Sequence, residues 1–378
     1  MKIVHVYHSY YPRIGGLERV VQCLAEEQAK LGHEVHVVTS VYETAKCMYE
    51  VINKVHVHRV KKFKFHYPDL TVPREYHTGL LKDADIVHIY SQNSLFSILI
   101  GEKAKKVGSK IACHFLAVNA LNDHPNFLVR YLGTFYSNRN TSRALKFSDV
   151  KFVMGFRDKY ILKSIYNVSD AHVLPDGVSQ QYFTKPKCNV EIFRRKFKVK
   201  QEKLFLFIGR MHKLKGPHTI IKALTEVKHD TAVVFIGPDD GYLKNCLKIA
   251  SALGVSDRVY TLGYVDEGTK IAAIDSAIAV ISPSLCNYVE VFPIAIWEAW
   301  ARSKPVIASR VGDIPYRIKQ GVNGLLFDPH DHKQLAKCMS TLLNDQELAD
   351  KIGREGKKYV LTWDKIALEA VKLYAMIT

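Results

Sequence analysis

The stretch Lys203–Gly216, KLFLFIGRMHKLKG, joins a short apolar run to a basic loop that begins and ends with a glycine. The run from Lys203 to Ile208 predicts a strand, and the residues after it predict a loop that leads into a helix. Ligands bind at the carboxyl ends of parallel strands. Arg210 and Lys215 in this loop could therefore hold a diphosphate and stabilise the charge that develops on it. A solvated basic loop is the alternative interpretation.

Strand and helix patterns alternate on both sides of this stretch, and the helical patterns include Leu17–Leu31 and Asp331–Leu343. The alternation predicts βαβ units with parallel sheets, hence an α/β fold of two doubly wound, Rossmann-like domains facing across a cleft. We expect domains at 1–183 and 203–360, with a polar, basic linker at 184–202. The predicted strands are Lys2–His8, Glu34–Thr39, Asp85–Tyr90, Lys110–His114, Lys151–Met154, His172–Pro175, Lys203–Ile208, Thr231–Ile236, Val259–Leu262, Ile278–Ser282 and Pro305–Ala308.

Composition narrows the class of protein. The 378 residues are 47% hydrophobic, which excludes a mainly disordered chain. The formal net charge of +17 favours phosphates, nucleic acid or acidic lipid as partners, although a plain basic surface fits too. Seven cysteines without a C-x-x-C pair argue against disulfides and structural zinc. We expect a cytoplasmic protein, because neither a signal sequence nor a membrane-spanning run is visible, with any membrane contact peripheral.

Two further groups lie where the predicted strands of the first domain end. Gly15 and Gly16 follow the first strand and open a helix, so their backbone N–H groups could approach an anion. They are not a dinucleotide fingerprint, and a tight turn is an equal alternative. His114 ends its own apolar strand and is a candidate contact to a substrate hydroxyl, although a lone histidine is more often structural.

Two carboxylates stand eight residues apart in Glu290–Glu298, EVFPIAIWE. We expect a helix at Phe292–Ala301 with Pro293 near its first turn, so that Glu290 precedes the helix and Glu298 lies inside it. Carboxylates accept hydrogen bonds from vicinal hydroxyls, which suits a sugar at one end and a ribose at the other. A helix-dipole contact and an ordinary surface glutamate are the alternatives.

No metal is expected. Asp83 and Asp85 match the D-x-D spacing of metal-dependent sugar transferases, but they stand before a strand, at the wrong end for ligand binding. Asp239 and Asp240 follow a strand, yet a matching set of carboxylates for Mg²⁺ is lacking.

Together these motifs resemble the retaining glycosyltransferase family 4, which has the GT-B fold, and the resemblance covers nearly the whole chain. Each motif alone is loose, and the four in order are specific. The matching segments are Gly15–Glu18, Gly209–Gly216, Glu290–Glu298, and Val311–Pro315 followed by Gly321–Leu326.

The resemblance implies a role for each matching position. Arg210 and Lys215 would bind the donor diphosphate, Glu290 the hydroxyls of the donor sugar, and Glu298 the ribose. His114 would contact the sugar near the reacting carbon. The helix at 361–378 would cross back to the first domain. The remaining donor contacts would come from Gly15, Gly16, Gly263, Tyr264, Val265, Phe292, Pro293 and Ile294.

One departure concerns Pro293. The family often has Gly-Phe-Gly after the first glutamate, whereas this chain has Val291, Phe292 and Pro293. Because proline has no N–H, one donor to the phosphate or sugar is missing.

The implied activity is a retaining, metal-independent hexosyltransferase that needs no cofactor and uses a nucleotide-diphosphate sugar as donor. The acceptor would be a glycan, lipid-linked or membrane-bound. A nucleotide-sugar epimerase or a phosphorylase of the same fold is one alternative. From another class, a basic nucleic-acid-binding protein would fit the charge, although no nucleic-acid-binding motif supports it.

The stretch Asn53–Phe65 has five Lys or Arg residues and no acid, with Phe63 and Phe65 interleaved and Tyr67 following. Cations of this kind are attracted to an anionic membrane, and aromatic side chains can enter its interface. A basic edge strand explains the same pattern equally well.

Overall fold

The structure is a computed structural model that describes residues 1–13, 15–42, 47–63, 67–184, 190–227, 230–288 and 290–378. It forms two compact units. The first comprises residues 1–177 and 361–378, and the second comprises residues 178–360.

The first unit is built around one sheet with the strand order β10-β9-β8-β7-β1-β2-β4-β3. All neighbours are parallel except β3 and β4. The strands are β1 Lys2–Val6, β2 Glu34–Ser40, β3 Tyr49–Ile52, β4 Val55–Val60, β5 Lys62–Phe63, β6 Val72–Pro73, β7 Ile86–Tyr90, β8 Lys110–Phe115, β9 Val150–Val153 and β10 His172–Val173. The helices are α1 Gly16–Lys30, α2 Thr78–Lys82, α3 Leu95–Lys106, α4 Phe127–Phe147 and α5 Phe156–Tyr166.

The hairpin β3–β4 is an element that the sequence analysis missed. Asn53 and Lys54 adopt positive φ angles of 48° and 69°, as a two-residue hairpin turn requires. β4 therefore has a strand on each side. Arg59 on β4 is buried, forms an ion pair with Glu50 and donates a hydrogen bond to the carbonyl of Tyr11.

The basic stretch predicted to dock on a membrane is thus partly interior. Lys62 donates to the hydroxyl of Ser40 at 3.0 Å, while Lys54 and Lys61 are exposed. Lys64 and Phe65 lie outside the described residues. A strand does form at 55–60, but it is not the solvated edge strand of the alternative, because β4 pairs on both sides. With Arg59 buried, the full set of five cations does not face solvent together.

The second unit contains a six-stranded, all-parallel sheet with the order β13-β12-β11-β14-β15-β16. Its strands are nearly all apolar, because helices cover both faces. The strands are β11 Lys203–Ile208, β12 Thr231–Ile236, β13 Val259–Gly263, β14 Ala279–Ser282, β15 Val306–Ser309 and β16 Leu325–Phe327. The helices are α6 Val190–Lys196, α7 Pro217–Ala223, α8 Leu243–Ala252, α9 Glu267–Ser276, α10 Ile294–Ala301, α11 Ile314–Arg317, α12 His332–Asn344 and α13 Gln346–Lys357.

The segment predicted as a linker contains α6. Phe193 and Val199 are buried in the second unit's core, so this stretch packs despite its polar composition.

The last helix, α14 Trp363–Ala375, belongs to the first unit and packs beside α1. Its apolar residues recur every three or four positions and enter the core on the α1 face of the sheet. Across the described residues, no helix is long and apolar enough to cross a membrane.

Candidate functional site

One polar cluster of the second unit joins Lys215 and Glu290. Lys215 ends a short 3-10 turn after β11, and Glu290 stands in the loop before α10. The Lys215 Nζ lies 2.7 Å from Glu290 Oε2, and the Ser284 hydroxyl donates to the same oxygen at 2.9 Å. Glu290 is only 6% exposed, so a fixed cation and a fixed carboxylate share a largely dry site.

Two glycines allow these loops to approach so closely. Gly216 has a φ of +71°, and a Cβ there would collide with the carbonyl of Pro283. Gly312 has a φ of +58°, and a Cβ there would collide with the carbonyl of Glu290. The Gly312 N–H also donates to Asn287 Oδ1 at 2.7 Å. The backbone on both sides of the Lys215–Glu290 pair is therefore fixed by packing that admits no side chain.

The second carboxylate, Glu298, is buried inside α10 and also faces a lysine. Lys270 Nζ on α9 lies 2.8 Å from Glu298 Oε1 and 3.0 Å from Glu267 Oε1. Tyr182 donates to Glu267 Oε2 at 2.6 Å. The surface position that the sequence left open for Glu298 is therefore wrong.

Arg210 stands apart from that arrangement. Its guanidinium Nη1 lies 2.5 Å from Asp240 Oδ2, and both side chains are largely exposed. Exposed pairs of this kind are worth about 0–1 kcal/mol, so an anionic ligand could compete for the guanidinium.

Neighbouring strand ends in the second unit carry glycines. The Gly209 N–H donates to the Ile236 carbonyl at 2.9 Å, and the Gly237 N–H donates to the Gly263 carbonyl at 2.8 Å. Beyond Gly263, Tyr264 is 71% exposed, while Val265 packs against the core. The ends of β11 and β12 are therefore closely packed, while Gly263 at the end of β13 has open space beside its backbone and an exposed aromatic ring next to it.

The loop before α10 differs from its prediction in detail. The helix begins at Ile294, and Pro293 caps it instead of lying within it. Phe292 is buried against Trp297, with ring centroids 4.7 Å apart, so only its backbone remains for a ligand. The first N–H groups of a helix have no partner within it, and in α10 these belong to Ile294 and Ala295.

In the first unit, Gly15 caps α1 and Gly16 is the first helical residue. A Cβ at Gly16 would meet nothing within 4 Å, and one at Gly15 would meet only the flexible carboxylate end of Glu18. Packing alone therefore does not demand glycine at Gly16, which leaves open space beside the helix N-terminus.

His114 lies near the end of β8 and is 1% exposed. Among the described residues, neither ring nitrogen has a hydrogen-bond partner. Burial lowers the pKa of His114 to about 3, so the imidazole is neutral near pH 7. Its ring stacks on His88 with centroids 5.7 Å apart.

His114 stacks against a buried hydrogen-bond network that the sequence analysis did not find. His5 bonds to Tyr90 Oη at 2.9 Å and to Gln28 Oε1 at 2.7 Å. His88 Nδ1 lies 2.6 Å from Tyr374 Oη on α14. Burial lowers the pKa of His5 to about 4 and that of His88 well below its usual value.

The aspartates considered as metal ligands do not form a metal site among the described residues. Asp85 accepts a hydrogen bond from the Lys2 N–H at 2.7 Å, at the amino end of the sheet. In the ranges that the structure describes, no group of three or more His, Cys, Asp or Glu side chains could hold a metal ion.

The structure thus brings Lys215 and Glu290 together, and it adds Ser284 and Lys270 to the candidates. The sequence did contain a signal that Lys270 is buried, because this lysine directly precedes the apolar run IAAI (271–274) in α9. A lysine on the buried face of a helix requires a carboxylate partner. Ser284 gave no comparable signal.

Comparison with known proteins covers both units. The family profile described as Glycosyltransferase Family 4 matches residues 14–181, and the one described as Glycosyl transferases group 1 matches residues 189–359. An uncharacterized glycosyltransferase of Methanocaldococcus jannaschii is 29% identical over 402 aligned positions, which cover 99% of this chain and 98% of that protein.

Solved structures agree on the fold. Sucrose-phosphate synthase from Thermosynechococcus elongatus matches with a TM-score of 0.80 and 20% identity, over 100% of this chain and 98% of that one. Anabaena HepE in complex with UDP-glucose matches with a TM-score of 0.79 and 16% identity, over 100% of both chains.

These likenesses confirm the predicted GT-B-like α/β fold with its two parallel sheets. Together the two profiles account for residues 14–181 and 189–359, and they include every candidate site residue named above. The chain belongs to the group 1 glycosyltransferases of family 4, which transfer a sugar from a nucleotide sugar.

Proposed function

We propose that this chain is a retaining hexosyltransferase that works without a metal and binds its donor diphosphate at the Lys215–Glu290 cluster. The buried pair carries the proposal, because the fold joins two residues 75 positions apart into one preorganised charge site. Preorganised charge of this kind stabilises a leaving diphosphate without reorganisation during the reaction.

In the proposed reaction, the bond between the anomeric carbon and the diphosphate oxygen breaks. The acceptor hydroxyl oxygen forms its bond to the same face of that carbon, and its proton passes to the departing diphosphate. Lys215 holds the negative charge that develops on the leaving oxygen, and Arg210 joins it after releasing Asp240. Glu290 accepts hydrogen bonds from the donor sugar and keeps Lys215 in place.

Backbone groups supply further contacts in this proposal. The free N–H groups of Ile294 and Ala295 point the positive end of α10 at the phosphate, and Pro293 contributes none. Glu298 accepts from the ribose hydroxyls while Lys270 fixes its orientation. The open backbone at Gly263 and the exposed Tyr264 offer a place for the base.

For the first unit, we assign the N–H groups of Gly15 and Gly16 to the donor phosphate and His114 to a sugar hydroxyl. A neutral imidazole can both donate and accept, so His114 serves as a hydrogen-bonding group and not as an acid near pH 7. The acceptor we propose is lipid-linked or membrane-bound.

The experiment is a thermal-unfolding screen of UDP-, GDP- and ADP-sugars, followed by an assay of nucleoside diphosphate release in excess EDTA. Binding of donor raises the unfolding temperature by mass action. The UDP-glucose bound to Anabaena HepE makes that sugar the first donor to test. We expect stabilisation by one nucleotide class and undiminished release with EDTA.

The Glu290→Gln variant is the matched control, because it keeps the side-chain volume and removes the charge. It should keep its fold and lose stabilisation by the sugar nucleotide more than stabilisation by the free nucleotide. Activity that vanishes with EDTA and returns with Mg²⁺ or Mn²⁺ would refute the metal-independent mechanism.

A further inference from the structure

The first half of α4 exposes a stripe of large apolar side chains. Five of them are between 62% and 70% exposed, and they stand at positions i, i+1, i+4, i+5 and i+8. At about 100° per residue this spacing covers a face about 140° wide. We call it the α4 stripe, and its members are Phe127, Leu128, Tyr131, Leu132 and Phe135.

The core of the first unit supports only the other half of this helix. All the side chains that α4 buries lie at or beyond Ser137. The first half is held instead by Thr134, which donates to Asn122 Oδ1 at 2.7 Å. A groove of about 690 Å³ runs along it, lined by every stripe member except Leu128 and by the polar side chains of Asn122, Arg130, Thr134 and Asn138. The stripe thus faces outward from a fixed helix.

The charges of α4 are all of one sign. The helix has four basic residues and no acid. Arg130 places its guanidinium 5.6 Å from the centre of the Phe127 ring, and Arg139 is exposed one turn beyond Phe135. Arg143 is paired with Glu102 at 3.0 Å. Arg130 therefore lies beside the apolar face, and Arg139 lies one turn beyond its C-terminal end.

A second pair of exposed aromatic side chains stands outside α4. Phe63 and Tyr67 are 50% and 54% exposed, and the Arg74 guanidinium stands 4.4 Å from the Phe63 ring centre. The turn at residues 68–70 and β6 pack against α3, and α3 in turn packs against α4.

We infer that the α4 stripe is a docking surface for an anionic lipid bilayer. Its aromatic and leucine side chains enter the interfacial region, while Arg130 and Arg139 contact the headgroup phosphates. Helices that lie in the membrane interface typically have aromatic and leucine side chains on one face and basic residues beside it on the polar face. Anionic lipid also complements a chain with a net charge of +17.

A second copy of this chain is a poorer occupant. A two-fold contact through α4 would bring the same surface together from both copies. Arg130 and Arg139 would then approach the partner helix, which offers no acid in its 21 residues. The docking inference rests on the proposed function only for its purpose, which is access to a membrane-bound acceptor.

The test is flotation of the full-length protein with vesicles of phosphatidylcholine alone or mixed with phosphatidylglycerol. We expect binding to the mixed vesicles and about tenfold weaker binding for Tyr131→Ser/Phe135→Ser. Arg130→Gln/Arg139→Gln should remove most of the preference for the anionic lipid. Leu247→Ser and Leu368→Ser, which also change exposed leucines on helices, should bind as the wild type does.

Failure to bind either vesicle would overturn the inference, as would unchanged binding of the Tyr131/Phe135 variant. A dimer in light scattering that this variant dissociates would assign the stripe to a second copy instead. Donor-induced thermal stabilisation, measured on the same samples, separates the two proposals. The Tyr131/Phe135 variant should still be stabilised by the donor. A wild-type protein that binds vesicles but is not stabilised by any sugar nucleotide would refute the donor assignment and leave the docking inference standing.

Discussion

In the second unit the buried carboxylates Glu290 and Glu298 each face a lysine, whereas in the first unit the buried histidines His5, His88 and His114 face a tyrosine, a glutamine or no hydrogen-bond partner. Glu290 and Glu298 lie 2.7 and 2.8 Å from Lys215 and Lys270. His114 is equally buried and is neutral, because burial lowers its pKa to about 3. The two carboxylate sites keep opposite charges together, and the three histidines supply neutral donors and acceptors.

The difference follows from the cost of burying charge. A buried ion pair is tolerable only while both partners are present, since loss of one leaves an uncompensated charge. A neutral imidazole avoids that cost, although burying ring nitrogens without hydrogen-bond partners still lowers the free energy of unfolding. Charge suits a diphosphate that leaves as an anion, and neutral polarity suits hydroxyls. Variants that alter either the charged pairs or the neutral histidines test this contrast.

The largest effect is expected from Lys215→Met. It removes the cation proposed to hold the leaving diphosphate, so kcat should fall by about 10²–10³. It also leaves Glu290 buried without its cation, which should cost about 3 kcal/mol of unfolding free energy. Steady-state kinetics and urea unfolding measure the two losses separately.

The double variant Lys215→Met/Glu290→Gln separates structure from chemistry. It removes both charges at once, so most of the lost stability should return while the activity does not. Recovery of turnover in the double variant would mean that the pair is structural, and near-normal turnover in Lys215→Met would remove Lys215 from the mechanism.

The sequence could predict this pair one residue at a time. The apolar run Lys203–Ile208 and the loop after it carry strong local signals, and β11 has those bounds in the structure. That Lys215 meets Glu290 depends on a long-range contact. It requires Gly216 to pack on Pro283 and Gly312 to pack on Glu290, which no local pattern encodes.

The buried histidines give the next effect, a loss of stability in acid. Because folding lowers their pKa values, the unfolded chain binds more protons, and stability falls as pH drops below about 6.5. For His114, with a folded pKa of about 3, the loss at pH 5 is about 2 kcal/mol relative to neutral pH.

Replacing His114 by Phe should therefore flatten the dependence of unfolding free energy on pH between 7 and 5. His172, which is exposed, supplies the control as His172→Asn, and its pH dependence should match the wild type. Urea unfolding at both pH values measures the difference. An unchanged slope in His114→Phe would show that His114 is not held neutral by the fold.

The sequence could place His114 at a strand end but could not find its surroundings. His5, His88 and Tyr90 come from strands beside one another, and Tyr374 comes from the far end of the chain. Each is unremarkable in its own segment. Parallel pairing, which sets His5 opposite His88 and Tyr90 opposite His114, creates the network.

A smaller effect is expected at Glu298. Glu298→Gln should raise the donor KM about tenfold, the equivalent of about 1.4 kcal/mol for a hydrogen bond to a charged group, with kcat little changed. Lys270 keeps Glu267 at 3.0 Å, so the stability loss should be smaller than in Lys215→Met. Glu267→Gln is the matched control and should leave the donor KM unchanged. A large fall in kcat for Glu298→Gln would contradict a role limited to the ribose.

The smallest effect tests the exposed counterpart of these buried pairs, Arg210 with Asp240. The pair is worth about 0–1 kcal/mol, so releasing Arg210 by Asp240→Asn should lower the donor KM about two- to threefold. Arg210→Ala should raise it. Both changes should shrink at about 1 M salt, where charges are screened beyond about 3 Å.

Glu202→Gln is the control, because it breaks another exposed pair, with Lys203, at the start of the same strand. If Asp240→Asn and Glu202→Gln change the donor KM equally, the effect comes from net charge and not from Arg210. If neither Asp240→Asn nor Arg210→Ala changes it, Lys215 holds the diphosphate without the guanidinium. The cationic part of the proposed donor site would then be Lys215 in its pair with Glu290.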